Sequence, residues 1–227
     1  MNRLRLMLLA GAVAGLGLGA AMAPAMADPL STTFTVNVWN YTCPDCSITS
    51  ASQQALPTNP EASGTPTLSG IYTGAMNFNP GTDTIGAFFT SGGGASTGGL
   101  STSGLTLSSG SYNGATTQTT TLMSFAFHIG ASVNAIFHDD GISLFSGSTN
   151  LLPVGDSAPT SEVDTTVTLA AGNYTLWYVE ANGLPAVLNF ETTNTPVPEP
   201  GSLALLGTAL AGLGMLGFAV RKRRPTA

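Results

Sequence analysis

Basic side chains are almost missing from this sequence. Only six Lys and Arg occur in 227 residues, and none lies between Asp28 and Pro200, the stretch that carries all twelve Asp and Glu. A surface without cations cannot neutralise phosphates, so nucleic acid is excluded as a partner and anionic membrane surfaces are poor partners. Divalent cations, by contrast, suit such an acidic region as ligands.

Cysteine is scarce as well. Two residues, Cys43 and Cys46, lie in a Cys-Pro-Asp-Cys sequence. The absence of a second pair excludes a four-ligand zinc site, and no βαβ pattern typical of a redox pair surrounds them. In an oxidising compartment we expect a short-range disulfide between Cys43 and Cys46 that fixes a turn.

Catalytic motifs are also lacking. The sequence has no Gly-x-Ser-x-Gly elbow, no His-Glu-x-x-His and no phosphate loop, and its acidic middle has no Lys or Arg to stabilise an oxyanion. His128 and His138 lie in strand candidates, where we expect structural roles; His138, beside Asp139, is also a candidate for positioning a carboxylate or for a metal site. A glycosidase needs two carboxylates, and the sequence offers no second carboxylate site at a recognisable spacing. We therefore expect a protein that is not an enzyme.

Both ends of the chain have the composition of membrane-targeting segments. Residues 1–27 combine two arginines, an apolar Gly/Ala/Leu run and a small-x-small ending, which together predict a secretory signal peptide. Residues 203–220 are uncharged and long enough for a transmembrane helix, and four basic residues follow at 221–224. Because basic residues stay on the cytoplasmic side, the acidic middle is expected outside the inner membrane.

Short apolar stretches with period-two alternation fill the middle of the chain. The repeating sets are Phe34/Val36/Val38, Phe125/Phe127/Ile129 and Val133/Ala135/Phe137. Gly, Pro and Asn turn signals separate these stretches, and no helical period is convincing, so residues 28–194 are predicted to form one all-β domain, an antiparallel β-sandwich. Residues 90–121 are rich in Gly, Ser and Thr, and we expect a long loop or weak outer strands there.

The C-terminal segment 195–227 carries a specific order of elements. Val197, Pro198, Glu199 and Pro200 precede the apolar run and the basic cluster. This arrangement closely resembles the PEP-CTERM sorting signal of Gram-negative, biofilm-forming bacteria. The resemblance implies recognition of the Pro-Glu-Pro segment by an exosortase-type transpeptidase and loss of the tail. Delivery to the cell surface or the exopolysaccharide matrix would follow; a plain membrane anchor is the alternative.

A second resemblance begins at Ala131. The sequence SVNAIFHDDGISL at 132–144 and the segment 167–190 are similar to the second half of the β-sandwich first described in anthrax protective antigen, a fold shared with flocculin-type adhesins. In those adhesins, paired aspartates coordinate a calcium ion that holds sugar hydroxyls. The resemblance implies this role for Asp139 and Asp140, with Asn182 a further candidate by position only.

The residues themselves leave two interpretations of Asp139 and Asp140 open. Adjacent carboxylates followed by Gly place four oxygens on one tight turn, which suits calcium. Asp-Gly is also a common hairpin signal that needs no ion. Correspondingly, the domain is expected to be a carbohydrate- or matrix-binding module or a purely structural acidic matrix protein. Trp39 and Trp177 could stack on sugars, but we expect them in the core.

Overall fold

A computed structural model describes residues 27–43, 47–109 and 118–193 of the chain. The strands in these residues are β1 (Ala27–Pro29), β2 (Ser31–Cys43), β3 (Leu68–Ala75), β4 (Asn77–Phe78), β5 (Ala95–Ser96), β6 (Gln118–Ile129), β7 (Ser132–Asp139), β8 (Gly141–Ser146), β9 (Thr149–Asn150), β10 (Val163–Leu169), β11 (Gly172–Glu180) and β12 (Val187–Thr193). One α-helix, α1 (Ile85–Ser91), and short 3-10 turns at Ala51–Gln53, Pro60–Ser63, Leu100–Thr102 and Val154–Ser157 complete the described elements.

The strands form two antiparallel sheets. The smaller sheet has the order β1-β12-β7-β10, with β4 also paired to β12, and the larger has the order β5-β3-β2-β6-β11-β8-β9. From β6 onwards the chain alternates between the sheets except at the β8–β9 hairpin, and its crossing connections lie at the two ends of the sandwich. The prediction of an all-β, antiparallel fold is confirmed for the described residues.

The core lies between the sheets and follows the period-two pattern of the sequence. Phe34, Val36 and Val38 of β2 are completely buried, and Phe125 of β6 is as well. Alternate residues of a strand point to opposite faces, so these positions form the inner face of the larger sheet. Burying such apolar side chains stabilises the fold by about 1.5–3 kcal/mol for each large residue.

The strand β7 reverses the expectation for its sequence. Val133, Ala135 and Phe137 share one face as predicted, but that face is only half-buried. The opposite face is the buried one, and it includes Asn134 and His138. Asn134 donates its side-chain amide to the Val167 carbonyl oxygen at 3.3 Å, which helps to satisfy a polar group in this position.

The short helix α1 was not expected from the sequence. Thr84 caps its start by accepting a hydrogen bond from the Ala87 N–H at 3.1 Å. Phe88 and Phe89 are completely buried, and the Phe88 ring stacks on Phe78 at 4.6 Å. Seven residues make two turns, which are too few to display a helical period in the sequence.

The expectation for residues 90–121 is wrong in part. The strand β5 is a short outer strand, but Leu100 and Leu107 are completely buried in the core. Residues 118–121 belong to β6, which lies inside the larger sheet between β2 and β11. Small residues permit this packing, since Gly98 (φ 67°) contacts the Ser69 backbone closely enough to leave no room for a Cβ.

The predicted targeting segments fall mainly outside the described residues. The strand β1 begins at Ala27, the last residue of the predicted signal peptide. No helix in the described ranges is long and apolar enough to cross a membrane. The sorting motif of Val197, Pro198, Glu199 and Pro200 lies outside these ranges, as does the predicted transmembrane helix.

Candidate functional site

The Asp139-Asp140 pair lies where the chain passes from one sheet to the other. Asp139 ends β7 in the smaller sheet, and Gly141 begins β8 in the larger sheet. The peptide bond between Asp139 and Asp140 is cis. The two strands do not pair, so the hairpin interpretation of this Asp-Gly sequence is wrong. Gly141 is needed for space instead, because a Cβ there would lie 2.4 Å from the Ser157 carbonyl oxygen.

Asp140 is completely buried and joins three segments. Its Oδ1 accepts a hydrogen bond from the Thr160 N–H at 3.1 Å, and its Oδ2 accepts from the N–H groups of Ala181 and Asn182 at 2.8 and 3.1 Å. Burial nevertheless raises the pKa of Asp140 to about 7, with a smaller contribution from the charge of Asp139. The carboxylate therefore holds the β11–β12 connection against the end of β7.

The backbone of Asn182 lies at this corner, and its role as a calcium ligand stays a prediction. Its backbone N–H contacts Asp140, and its side chain is half-buried. The three residues proposed from the resemblance, Asp139, Asp140 and Asn182, thus lie together at one end of the sandwich. Their convergence follows from the topology, because β7–β8 and β11–β12 both cross between the sheets there.

Asp139 differs from its neighbour in its hydrogen bonding. Only 5% of the residue is exposed, yet its buried Oδ1 has no hydrogen-bond partner among the described residues. Burial and then the nearby charge of Glu162 raise the pKa of Asp139 to about 6. The Asp139 carboxylate is therefore the member of the pair with an unused buried acceptor.

A third acid, Glu180, is completely buried at the end of β11. Its Oε1 accepts a hydrogen bond from Ser108 Oγ at 3.1 Å, and its Oε2 lies 2.7 Å from Tyr178 Oη. Tyr178 Oη also lies 2.5 Å from the Asp139 carbonyl oxygen. We call Asp139, Asp140 and Glu180 the acidic corner.

The hydrogen bonds of the acidic corner favour a proton on Glu180. The Asp139 carbonyl oxygen can only accept, so the single Tyr178 hydroxyl proton is directed to it. The contact between Glu180 and Tyr178 is then satisfied by a protonated carboxyl group that donates. Burial, followed by the charge of Asp140, raises the pKa of Glu180 well above its ordinary value, which agrees with a neutral carboxyl group. Burial likewise raises the pKa of Tyr178 and keeps its proton in place.

No cation among the described residues compensates this corner. The described residues contain no Lys or Arg, and burial lowers the pKa of His138, which disfavours its charged form. His138 Nδ1 donates to the Asp140 carbonyl oxygen at 2.6 Å, while its buried Nε2 has no partner in the described ranges. Buried carboxylates without a counter-charge are relieved by protonation or by a bound cation.

The donors at the corner fit calcium in part. Calcium prefers carboxylate and carbonyl oxygens, and Asp139 Oδ1 is an unused buried oxygen of this kind. Asp140 already accepts three N–H groups, so its main role is to orient the loop. No group of three or more His, Cys, Asp or Glu side chains suited to a metal is found in the described residues. A bound ion would therefore take Asp139, further backbone carbonyls and water.

Other residues singled out in the sequence lie elsewhere. Cys43 is buried at the end of β2 with its Sγ 3.3 Å from Ser52 Oγ, while Cys46 lies outside the described residues, so the disulfide stays a prediction. His128 is exposed and its Nδ1 lies 3.1 Å from Asn173 Oδ1. Trp39 is buried, but in a small cluster on the outer face of the larger sheet and not between the sheets.

Glu180 was missed in the sequence, although a signal for it exists. The inner face of β11 reads Tyr174, Leu176, Tyr178 and Glu180 at period two. An acid that continues an otherwise apolar or aromatic inner face is expected to be buried, and a buried acid needs a partner. Ser108 had no such signal, because it comes from a segment distant in the sequence.

Comparisons with known proteins show no family for this chain. A scan against protein families finds no match, and no curated protein matches the sequence. Among solved structures, the chain is similar to the PA14 domain of the MpAFP antifreeze protein, with a TM-score of 0.40 and 9% identity, covering 75% of this chain and 88% of that chain. This likeness assigns the chain neither to a family nor to a ligand.

Proposed function

We propose that this chain is an exported, exosortase-processed protein of the cell surface or exopolysaccharide matrix, and that its β-sandwich is a non-catalytic module that binds carbohydrate or other matrix material. The signal-like segment 1–27 and the Val197–Pro200 sorting motif support export and processing. The absence of Lys and Arg from the domain argues against nucleic acid and favours cation-assisted contacts with neutral or hydroxyl-rich partners.

The acidic corner is the observation that carries the binding proposal. Asp139, Asp140 and Glu180 are buried together, and the part of the chain that the structure describes has no Lys or Arg to lie beside them. Asp139 would hold a calcium ion through its unused oxygen, with Asp140 fixing the loop that carries Asn182. A bound calcium supplies the missing positive charge and can accept sugar hydroxyls as ligands.

Retention of the secreted protein on its host's own exopolysaccharide tests this function. We expect retention with calcium, loss with a chelator, and the same loss for Asp139→Asn in the presence of calcium. Asp164→Asn is the matched control, because it removes the same charge from an exposed position in β10. Retention that is unaffected by both the chelator and Asp139→Asn would favour the alternative, a purely structural acidic matrix protein.

Export and sorting have a separate test. Mass spectrometry of the protein recovered from the matrix should find an N-terminus near Asp28 and a chain that ends before the apolar run 203–220. Glu199→Ala should keep the tail attached and the protein at the inner membrane. Recovery of the uncleaved, full-length chain from the cytosol would contradict the proposal.

A further inference from the structure

The outer face of the larger sheet is covered over only part of its area. The excursion between β2 and β3 folds back over it and buries a small cluster of Trp39, Ala55, Leu122 and Val179. Beyond this cover, the sheet carries two adjoining depressions of about 520 and 390 Å³. Both depressions are lined by Phe145, Gly147 and Thr175, so they form one elongated groove, which we call the outer-face groove.

An aromatic floor and hydroxyl-bearing walls define the outer-face groove. Trp177 and Phe145 contribute rings to the larger depression, beside the hydroxyls of Thr58, Ser148 and Thr175. Asn173 lines the far depression, and no charged side chain lines either one. Such a lining, with apolar rings beside a few polar groups, is typical of small-molecule sites.

The orientation of Trp177 is fixed before any ligand arrives. Its ring stacks on Trp39 with a centroid distance of 5.6 Å and an interplanar angle of 21°. Trp39 is itself held by a hydrogen bond from its Nε1 to the Gly64 carbonyl oxygen at 2.9 Å. A pre-oriented aromatic ring loses little entropy on binding, which favours its use as a contact surface.

We propose that the outer-face groove binds a linear, neutral polysaccharide. The C–H faces of pyranose rings are apolar and suit Trp177 and Phe145, while their hydroxyl groups find partners in the Ser, Thr and Asn side chains. Two joined depressions accommodate several sugar units of one chain. A polyanionic glycan is disfavoured, because the twelve acids and the absence of cations between Asp28 and Pro200 create a repulsive field.

This inference rests on the proposed function but adds a second, calcium-independent contact. The groove is built on β8, β11 and the excursion after β2, whereas the acidic corner lies at the end of the sandwich where β7 passes into β8. The lining contains neither Asp139 nor Asp140. Binding in the groove should therefore continue in the presence of a chelator.

Tryptophan fluorescence of the full chain, purified in mild detergent, measures this binding directly, since both tryptophans of the sequence belong to the stacked pair. The probes are cellohexaose, laminarihexaose and mannohexaose, with a polygalacturonate oligomer as the anionic comparator. At least one neutral hexaose should bind, and Phe145→Ala should weaken it about tenfold. Ser148→Leu, at an exposed turn, should block the groove without affecting the core and without adding a third tryptophan to the fluorescence.

The control is Ile71→Ala, which removes a 45% exposed apolar side chain from the same sheet face outside the groove. Its affinity should equal that of the wild type when both are measured in a chelator, which removes any contact through calcium. Loss of hexaose binding in Asp139→Asn but not in the two groove variants would overturn the inference and leave the proposed function standing. Absence of binding to any neutral hexaose would also overturn the inference, while exopolysaccharide retention would still decide the proposed function separately.

Discussion

Replacing Glu180 by Gln tests whether the buried acid is neutral. A glutamine has the shape of a protonated glutamic acid, with one acceptor oxygen and one donor group. Its oxygen can accept from Ser108 Oγ and its amide can donate to Tyr178 Oη, which reproduces the contacts at 3.1 and 2.7 Å. At about pH 5 we expect the free energy of unfolding to change by less than about 1 kcal/mol.

Glu180→Ala is the comparison that sets the scale. It leaves the Ser108 hydroxyl without its buried acceptor and opens a cavity beside Tyr178. A buried unsatisfied polar group costs about 1–3 kcal/mol and each lost methylene about 1 kcal/mol. We therefore expect a destabilisation of about 3 kcal/mol, well separated from the effect of Glu180→Gln.

The pH dependence of the stability gives a second, independent test of the proton on Glu180. Because the pKa of Glu180 is raised in the folded state, the folded chain keeps a proton that the unfolded chain releases above about 4.5. Its contribution to stability is fully present below that value and declines as the pH rises towards the raised pKa. Glu180→Gln should remove this part of the decline, so the variant should gain stability relative to the wild type at about pH 8.

Urea denaturation followed by tryptophan fluorescence, in the presence of a chelator, is the assay. The two-state free energies of the wild type and both Glu180 variants are compared at about pH 5 and pH 8. Glu180→Gln as destabilising as Glu180→Ala at the lower pH would refute the reasoning. Such a result would mean that both Ser108 and Tyr178 donate to an ionised Glu180.

Three further predictions concern the same domain. In a chelator, the free energy of unfolding of the wild type should fall between about pH 4 and pH 7, because the pKa of buried Asp140 is raised from 3.8 to about 7. This shift is worth up to about 4 kcal/mol. A rise in stability across this range would contradict the burial of Asp140 as an uncompensated acid. Gly141→Ala should destabilise the fold by about 3 kcal/mol, because its Cβ would lie 2.4 Å from the Ser157 carbonyl oxygen. Gly155→Ala is the control and should change thermal stability little, because nothing lies within 4 Å of its Cβ. Equal effects of the two substitutions would show that the close approach at Gly141 is absent. Trypsin should leave the region from Asp28 to Pro200 uncut even when it is denatured, and internal tryptic peptides would be inconsistent with the sequence of the mature protein.

The sandwich could be predicted because its inner faces follow a simple rule. Phe34, Val36 and Val38 alternate with polar residues, and burial of every second residue makes that alternation visible in the sequence. The same rule misassigned the inner face of β7, where polar Asn134 and His138 are buried and satisfied in part by distant backbone groups. Sequence periodicity registers hydrophobicity and cannot register such partners.

Only part of the acidic corner could be predicted from the sequence. Asp139 and Asp140 are adjacent and form a recognisable motif in the sequence. Glu180 is distant in the sequence and reaches them only because β11 ends where the chain crosses to β12. The outer-face groove also depends on tertiary contacts, because the segment between β2 and β3 packs over Trp39. Local patterns carry no information on such contacts, because the tertiary arrangement decides which strand ends meet.

Calorimetric titration of calcium into the metal-free full chain, purified in mild detergent, tests the central claim most directly. We expect saturable binding of about one ion with a dissociation constant on the order of 0.1–1 mM, in the range of extracellular modules, and its loss in Asp139→Asn but not in Asp164→Asn. A wild-type chain that releases or takes up no heat with calcium, or an Asp139→Asn variant that binds it equally well, would contradict the account.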